Sequence, residues 1–248
     1  TGTVPEEGVR GAGGYLLNSY DDRFMFDYDA RGERATRDVV SRGIYAEMRK
    51  SNASPNGGVY ISMSHLGEDK VRALFPGMVK RCADSGFDLA AGKVEVVPTA
   101  HYFMGGVVVD VDTKTQMPGL YVAGEDAGGA HGSNRLGGNG VANSTVYGGV
   151  AGDIMGRDAL KMGALREPDE GILQDEIARA CRPFAKTGGD LNSLRQDLRQ
   201  TMWDDVGVMR DAAGLKTGLQ KLEQIKRDLY DIGVEDGVRA FNLTWHDW

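Results

Sequence analysis

Residues 131–140 read HGSNRLGGNG, and VANSTVYGGVAGDIMG follows at 141–156. The second stretch carries small and apolar residues at helical spacing, so residues 137–140 form the turn that opens a helix. Glycine there removes the Cβ that would hold a flat or anionic ligand away. The first turn of the helix adds unpaired N–H groups with partial positive charge. The same letters also describe a tight turn packed on a sheet. Upstream, VVVDV at 107–111 and GLYVAG at 119–124 have the short, β-branched, glycine-bounded texture of buried strands. Together with the helix after Gly138 they predict part of an α/β nucleotide-binding domain.

Towards the N-terminus, residues 13–28, GGYLLNSYDDRFMFDY, read as two short strands around a polar turn at 18–22. TRDVVSRGIYAEMRK at 36–50 is a helix, with Val39, Val40, Ile44 and Met48 on one face and Asp38 in the first turn. VYISM at 59–63 is β-like, and a further helix over about 69–84 carries Val71, Leu74 and Val79. Beyond residue 167 the chain turns helical and charged. A short helix near 169–182 precedes a stripe of Leu191, Leu194, Leu198 and Met202. A second stripe comprises Leu215, Leu219, Leu222, Ile225 and Leu229. The three are expected to pack as a small bundle. Absent throughout is a G-x-G-x-x-G turn set between a strand and a helix, the usual opening of a dinucleotide fold.

The chain has 248 residues and a formal net charge of −7, with 41% hydrophobic and 26% charged residues. That suits a globular protein with a large core and argues against binding nucleic acid through a basic face. Cys82 and Cys181 lie at no metal-ligand spacing and read as free thiols of a cytoplasmic protein. No run of apolar residues suggests direct membrane insertion. Because the first residue is Thr1, and NLTWHDW follows a structural turn, both ends read as cut from something longer.

Three cationic positions stand beside glycine-rich or apolar surroundings. His101, between PTA and YFMGG, sits where a loop enters a strand and presents its side chain to a cleft, or else is a hydrogen-bonded core histidine. Arg135 is an anion ligand or a structural partner of Glu125 or Asp126. Arg37 lies in a helical first turn, where the helix dipole disfavours a cation unless an anion is near.

The strings EEGVRGAGGYLLN, DRFMFDYDARGERATRDVV, PTAHYFMGGV and HGSNRLGGNG, with MWDDVGVMRDAAGL further on, resemble the succinate dehydrogenase and fumarate reductase flavoprotein subunit family. That family includes L-aspartate oxidase, and the resemblance covers nearly the whole chain. It implies FAD as cofactor and a four-carbon dicarboxylate as substrate. It makes Arg37 the proton carrier, with Glu7 and Arg10 as relay, and His101 and Arg135 the carboxylate ligands. It places Glu125 on the flavin's ribityl or ribose hydroxyls, with Asn134, Gly137, Gly138, Asn139, Gly140 and Val141 at the cofactor. It also implies a partner that is an iron–sulfur protein, and a cytoplasmic location, peripheral at the inner membrane through partner subunits.

The fold class implied is α/β plus α. Residues 1–97 are part of an α+β capping domain that acts as a lid, 98–160 the returning segment of the FAD-binding domain, and 165–248 part of a C-terminal helical domain. Glu6 departs from the family's pattern by standing where a threonine usually precedes the glutamate, which loosens the assignment to succinate. DYDARGERATRDVV leans towards L-aspartate oxidase and NRLGGNG towards the succinate and fumarate enzymes. The alternatives are therefore an L-aspartate oxidase-like enzyme and a non-catalytic binding or assembly module.

Overall fold

The computed structural model describes residues 7–164 and 167–248. Its described residues fall into two compact units, those of Thr1–Pro98 with Pro168–Trp248 and those of Thr99–Glu167. The protein is rich in helix and has one small antiparallel sheet.

That sheet is the centre of the first unit. Strands β1 (Tyr15–Leu17), β2 (Val59–Ser62) and β3 (Lys93–Val96) pair in that order, with Leu16 opposite Ile61 and Ile61 opposite Val94. These three side chains are buried in one register, and a slip of one residue would turn all of them away from the core. Short helix α1 (Glu7–Gly11) contributes the buried Val9.

Helix α2 (Arg37–Arg49) buries Val40 and Ile44 in the same core, while Val39 and Met48 pack half-buried at its edge. Its Asp38 accepts a hydrogen bond from Arg42 at 2.8 Å, one turn on. Gly43 lets Met25 approach, since a Cβ there would meet the Met25 Sδ at 3.0 Å.

Two expectations for residues 13–84 of this unit need correction. The second strand of residues 13–28 shrinks to a single bridge between Leu17 and Arg23. Asn18 Oδ1 accepts from the N–H groups of Tyr20 and Asp22, curling the chain, and Met25–Asp27 continues as a 3-10 turn. The helix expected over about 69–84 is two helices, α3 (Glu68–Leu74) and α4 (Pro76–Asp84). Pro76 has no N–H to continue α3 and disfavours helical backbone at Phe75. The break turns Leu74 outward, and the buried side chains become Val71, Met78 and Cys82.

The rest of the first unit is helical. Asp169, Asp190 and Asp211 accept first-turn N–H bonds at the starts of α6 (Glu170–Cys181), α7 (Leu191–Asp204) and α8 (Ala212–Leu229). Helices α7 and α8 pack against each other, whereas α6 packs chiefly on the 3-10 turn Arg182–Ala185 and buries no residue fully. The expected bundle is thus a helix pair with α6 set apart. Tyr45 of α2 meets Trp203 of α7 edge-to-face at 5.7 Å. Terminal helix α9 (Leu243–Asp247) docks through Trp245, whose indole N–H donates to the Ala180 carbonyl at 2.8 Å. Cys82 and Cys181 are free. Among the described residues no helix is long and apolar enough to cross a membrane.

The second unit is dominated by α5 (Asn139–Met162), the helix expected after Gly138. VVVDV and GLYVAG do not form strands. They make only the bridges Val107–Ala127 and Lys114–Tyr121. Asp110 Oδ1 accepts from the N–H groups of Asp112 and Lys114 and bends the first segment into a turn. Val108 and Val111 stand 74% and 90% exposed. β-Branched residues tolerate extension, but a strand also needs a neighbour to pair with, and the described residues supply single bridges in place of ladders.

Candidate functional site

The glycine turn of residues 137–140 presents what its sequence implies. Gly138 occupies the N-cap of α5 at φ 81°, a left-handed conformation that suits glycine, and no side chain caps the helix. Asn139 and Val141 are exposed around this end, as are Asn134 and Gly137 in the preceding loop. Gly140 also faces the interior. A Cβ on it would lie 3.0 Å from the Tyr102 ring and 3.6 Å from the Arg135 Cζ, so its bareness admits that aromatic side chain.

His101 and Arg135 meet across this turn, with Arg135 Nη2 3.3 Å from His101 Nε2. Arginine has only donors, so that imidazole nitrogen accepts and the ring carries its proton on Nδ1. Arg135 Nη1 donates to the Leu136 carbonyl at 3.2 Å, and the guanidinium lies over the Tyr102 ring at 4.4 Å. Its Nε is buried without a hydrogen-bond partner. The expected alternative, Arg135 paired with Glu125 or Asp126, is not what forms. Glu125 instead accepts the Phe103 N–H at 2.7 Å, fixing the segment beside His101, which is irregular where the entry to a strand was expected. An arginine with an unused buried N–H beside an exposed histidine has the donors that an anionic oxygen would satisfy.

Sequence reasoning passed over the residues beneath this pair. Asn143, buried on α5, donates through Nδ2 to the Gly124 carbonyl at 3.1 Å and lies 3.1 Å from His131 Nε2. Tyr102 Oη is 3.3 Å from the same His131 nitrogen and 3.5 Å from Asn143 Nδ2. The only marks they carry in the sequence are weak ones, a histidine inside a glycine-rich loop and an asparagine on a helix of mostly small and apolar residues.

Next to Glu125 a concavity of about 1040 Å³ opens, lined by Phe103, Gly105, Gly106, Val107, Tyr121 and Val122 among others. Gly106 packs so tightly on the neighbouring backbone that a Cβ on it would meet the Asp126 carbonyl oxygen at 2.2 Å, and one on Gly128 would meet the Gly106 carbonyl oxygen at 2.9 Å. The hollow is lined mainly by glycine and apolar residues together with the two carboxylates of Glu125 and Asp126, while the uncapped end of α5 and the Arg135 guanidinium are separate features that suit an anionic group.

The remaining candidates belong to the first unit. Arg10 Nη1 donates to the Glu33 carbonyl at 2.7 Å and the Ala35 carbonyl at 3.5 Å, directly before Arg37 opens α2. Arg10 is thereby brought to the chain segment that carries Arg37. The Glu7 side chain lies outside the described residues, as does Glu6. Glu33 is buried. Burial raises its carboxyl, but the Arg23 side chain, its own backbone N–H and the Leu16 N–H outweigh that and hold it below the usual carboxylate range.

The second unit thus presents a glycine-led, uncapped helix start beside an arginine and histidine pair. The chain belongs to the succinate dehydrogenase and fumarate reductase flavoprotein family: the FAD binding domain model matches residues 1–141, and the fumarate reductase flavoprotein C-terminal model matches 195–248. It is 38% identical over 236 residues to one component of the CoM/CoB fumarate reductase of Methanothermobacter marburgensis, covering 95% of this chain and 43% of that protein. It is 35% identical to an L-aspartate oxidase of Synechocystis, covering 88% of this chain and 38% of the other. A solved structure of E. coli quinol fumarate reductase superposes with a TM-score of 0.89 at 29% identity, over 99% of this chain and 45% of that one. The chain therefore spans less than half the length of these relatives.

Proposed function

We propose that the protein containing this chain is an FAD-dependent oxidoreductase that interconverts succinate and fumarate, or a closely related dicarboxylate pair. The observation that carries this reading is the His101–Arg135 pair, with the unpartnered buried Nε of Arg135. His101 and Arg135 bind a substrate carboxylate by charge-assisted hydrogen bonds, the ligand taking up donors that now meet His101 or are buried unpaired. Glu125, Asn134, Gly137, Gly138, Asn139, Gly140 and Val141 hold the cofactor, with the N-terminus of α5 favouring negative charge. Bound FAD would supply the hydride acceptor and donor.

Arg37 moves the accompanying proton, and Glu7 and Arg10 connect it to solvent. An arginine acts this way only where neighbouring groups bias its proton, which is the reason for assigning a carboxylate and a second cation to the relay. Residues 1–97 serve as capping domain, 98–160 as the returning segment of the α/β FAD domain, and 165–248 as helical domain. An iron–sulfur protein is the electron partner and would hold the flavoprotein at a membrane surface.

The test is the visible spectrum of the purified full-length protein. Bleaching of oxidised flavin by succinate, with return of colour on adding fumarate, is the expected result. Bleaching by aspartate with release of ammonia would replace this reading by that of an L-aspartate oxidase, and absence of flavin would leave a binding module. Arg37→Ala is expected to lower turnover by about a thousand-fold while flavin stays bound, the scale of a lost proton-transfer group. Near-normal turnover removes Arg37 from that role.

A further inference from the structure

We propose that Tyr102, fixed by His131 and Asn143, is the platform that positions Arg135 for its carboxylate ligand. The inference rests on the reading of Arg135 as a substrate ligand. An arginine side chain has four rotatable bonds, and a guanidinium holding a carboxylate in two-point register has to have most of that freedom removed in advance. The chain does this from below. The Tyr102 ring covers one face of the guanidinium at 4.4 Å, and Gly140 admits the ring at van der Waals distance from the first turn of α5. Covering that face also removes water that would compete with an incoming carboxylate.

The ring itself is held by a polar triangle. The Gly124 carbonyl can only accept, so it orients the Asn143 amide with Nδ2 towards it and, 3.1 Å away, towards His131 Nε2. That nitrogen therefore accepts, and His131 carries its proton on Nδ1. Tyr102 Oη completes the triangle at 3.3 Å from His131, whose ring also meets the tyrosine ring nearly edge-on at 5.5 Å. Gly124 begins the turn that bears Glu125, and Glu125 accepts the N–H of Phe103, the residue after Tyr102. The residues assigned to the cofactor and to the substrate are thus tied through one buried asparagine.

Tyr102, His131 and Asn143 are positioning residues, so their removal changes how well Arg135 binds and leaves its chemistry intact. In the full-length flavoprotein, Tyr102→Leu is expected to weaken binding of malonate, an unreactive dicarboxylate read by its flavin difference spectrum, about ten-fold. KM for the reactive dicarboxylate rises with it and kcat moves less. Tyr102→Phe keeps the ring but loses the Oη corner of the triangle, and is expected to restore only part of the affinity. In an Arg135→Ala background the effect of Tyr102→Leu disappears, since the platform then supports nothing.

A second readout does not depend on substrate. Phenylglyoxal labels exposed guanidinium groups, and labelling at Arg135, followed by peptide mass, is expected to quicken in Tyr102→Leu. Gly140→Ala presses on the ring from the other side and is expected to act in the same direction more weakly, which keeps the test alive if Tyr102→Leu does not fold. Equal malonate affinity and equal labelling in wild type, Tyr102→Leu and Gly140→Ala would overturn the platform. If wild type and Arg135→Ala show no malonate response at all, the substrate reading fails instead, and the labelling rates still decide the platform.

Discussion

The two units of this chain solve folding differently. The first closes Leu16, Met25, Val59 and Met63 into a core whose side chains are 0 or 1% exposed. The second buries little beyond Ala151 and Ile154 of α5, and its organisation comes from polar contacts, with Asn143 on Gly124, Glu125 on Phe103, and Tyr121 and Lys114 on Asp158. Where apolar contacts hold a segment, each residue acts through volume. Where directed hydrogen bonds hold it, each acts through geometry. His101 and Arg135, the proposed carboxylate ligands, belong to the second kind, which fits a site that has to present charge.

If that contrast is right, the largest stability change follows from making a hole in the first unit. Leu16→Ala is expected to cost about 3 kcal/mol, as measured by denaturant unfolding, because the methyl groups lost touch fully packed neighbours. A loss below about 1 kcal/mol would mean that the sheet face is looser than its burial implies. Glu33→Gln comes next, at about 2 kcal/mol, because the Arg23 guanidinium, the Leu16 N–H and a buried carboxylate are matched there.

This second change carries a pH signature. The Glu33 carboxyl is held below its ordinary value, so its contribution is complete above the ordinary carboxylate range of about pH 4.3 and is lost as pH falls through the lower folded value. Thermal midpoints across that acid range should fall more steeply in wild type than in Glu33→Gln. Parallel curves would remove Glu33 from the acid limb.

Much of this was legible in the residues. Helix α2 was readable because Val40 and Ile44 recur at helical spacing behind Thr36 and Asp38, and α5 because small residues follow Gly138. The His101–Arg135 pair was legible only through the PTAHYFMGGV and HGSNRLGGNG strings, since nothing in local spacing brings residues 34 positions apart together. What failed did so for stated causes. Pro76 divided one expected helix, and Asn18 curled one expected strand by bonding to the backbone ahead of it. VVVDV failed because β-branched composition records a tolerance for extension, while pairing depends on a neighbour that composition does not contain. Tyr102, His131 and Asn143 escaped notice because each is ordinary alone, and their meaning lies in a triangle closed between residues 102 and 143.

In the second unit the comparison predicts effects on binding without matching effects on stability. Arg135→Ala is expected to weaken dicarboxylate binding about ten-fold while changing the free energy of unfolding by less than about 0.5 kcal/mol, because the guanidinium rests on a ring it does not hold in place. Unchanged affinity would sink its role as a ligand. A large loss of stability would show that it is a structural cation.

The smallest effect expected is that of Val111→Asp. Val111 is 90% exposed, so in this chain the substitution exchanges one hydrated side chain for another and should shift stability by no more than about 0.5 kcal/mol. The same substitution in a core position such as Val59 would strand a charge among apolar groups and prevent folding. The pair Val111→Asp and Val59→Asp therefore isolates what differs between the units, since chemistry and size are the same at both positions. A loss of about 2 kcal/mol or more at Val111, on the order of fully burying a valine, would mean that another surface covers this segment. Its β-branched composition would then reflect a strand neighbour contributed from outside the described residues.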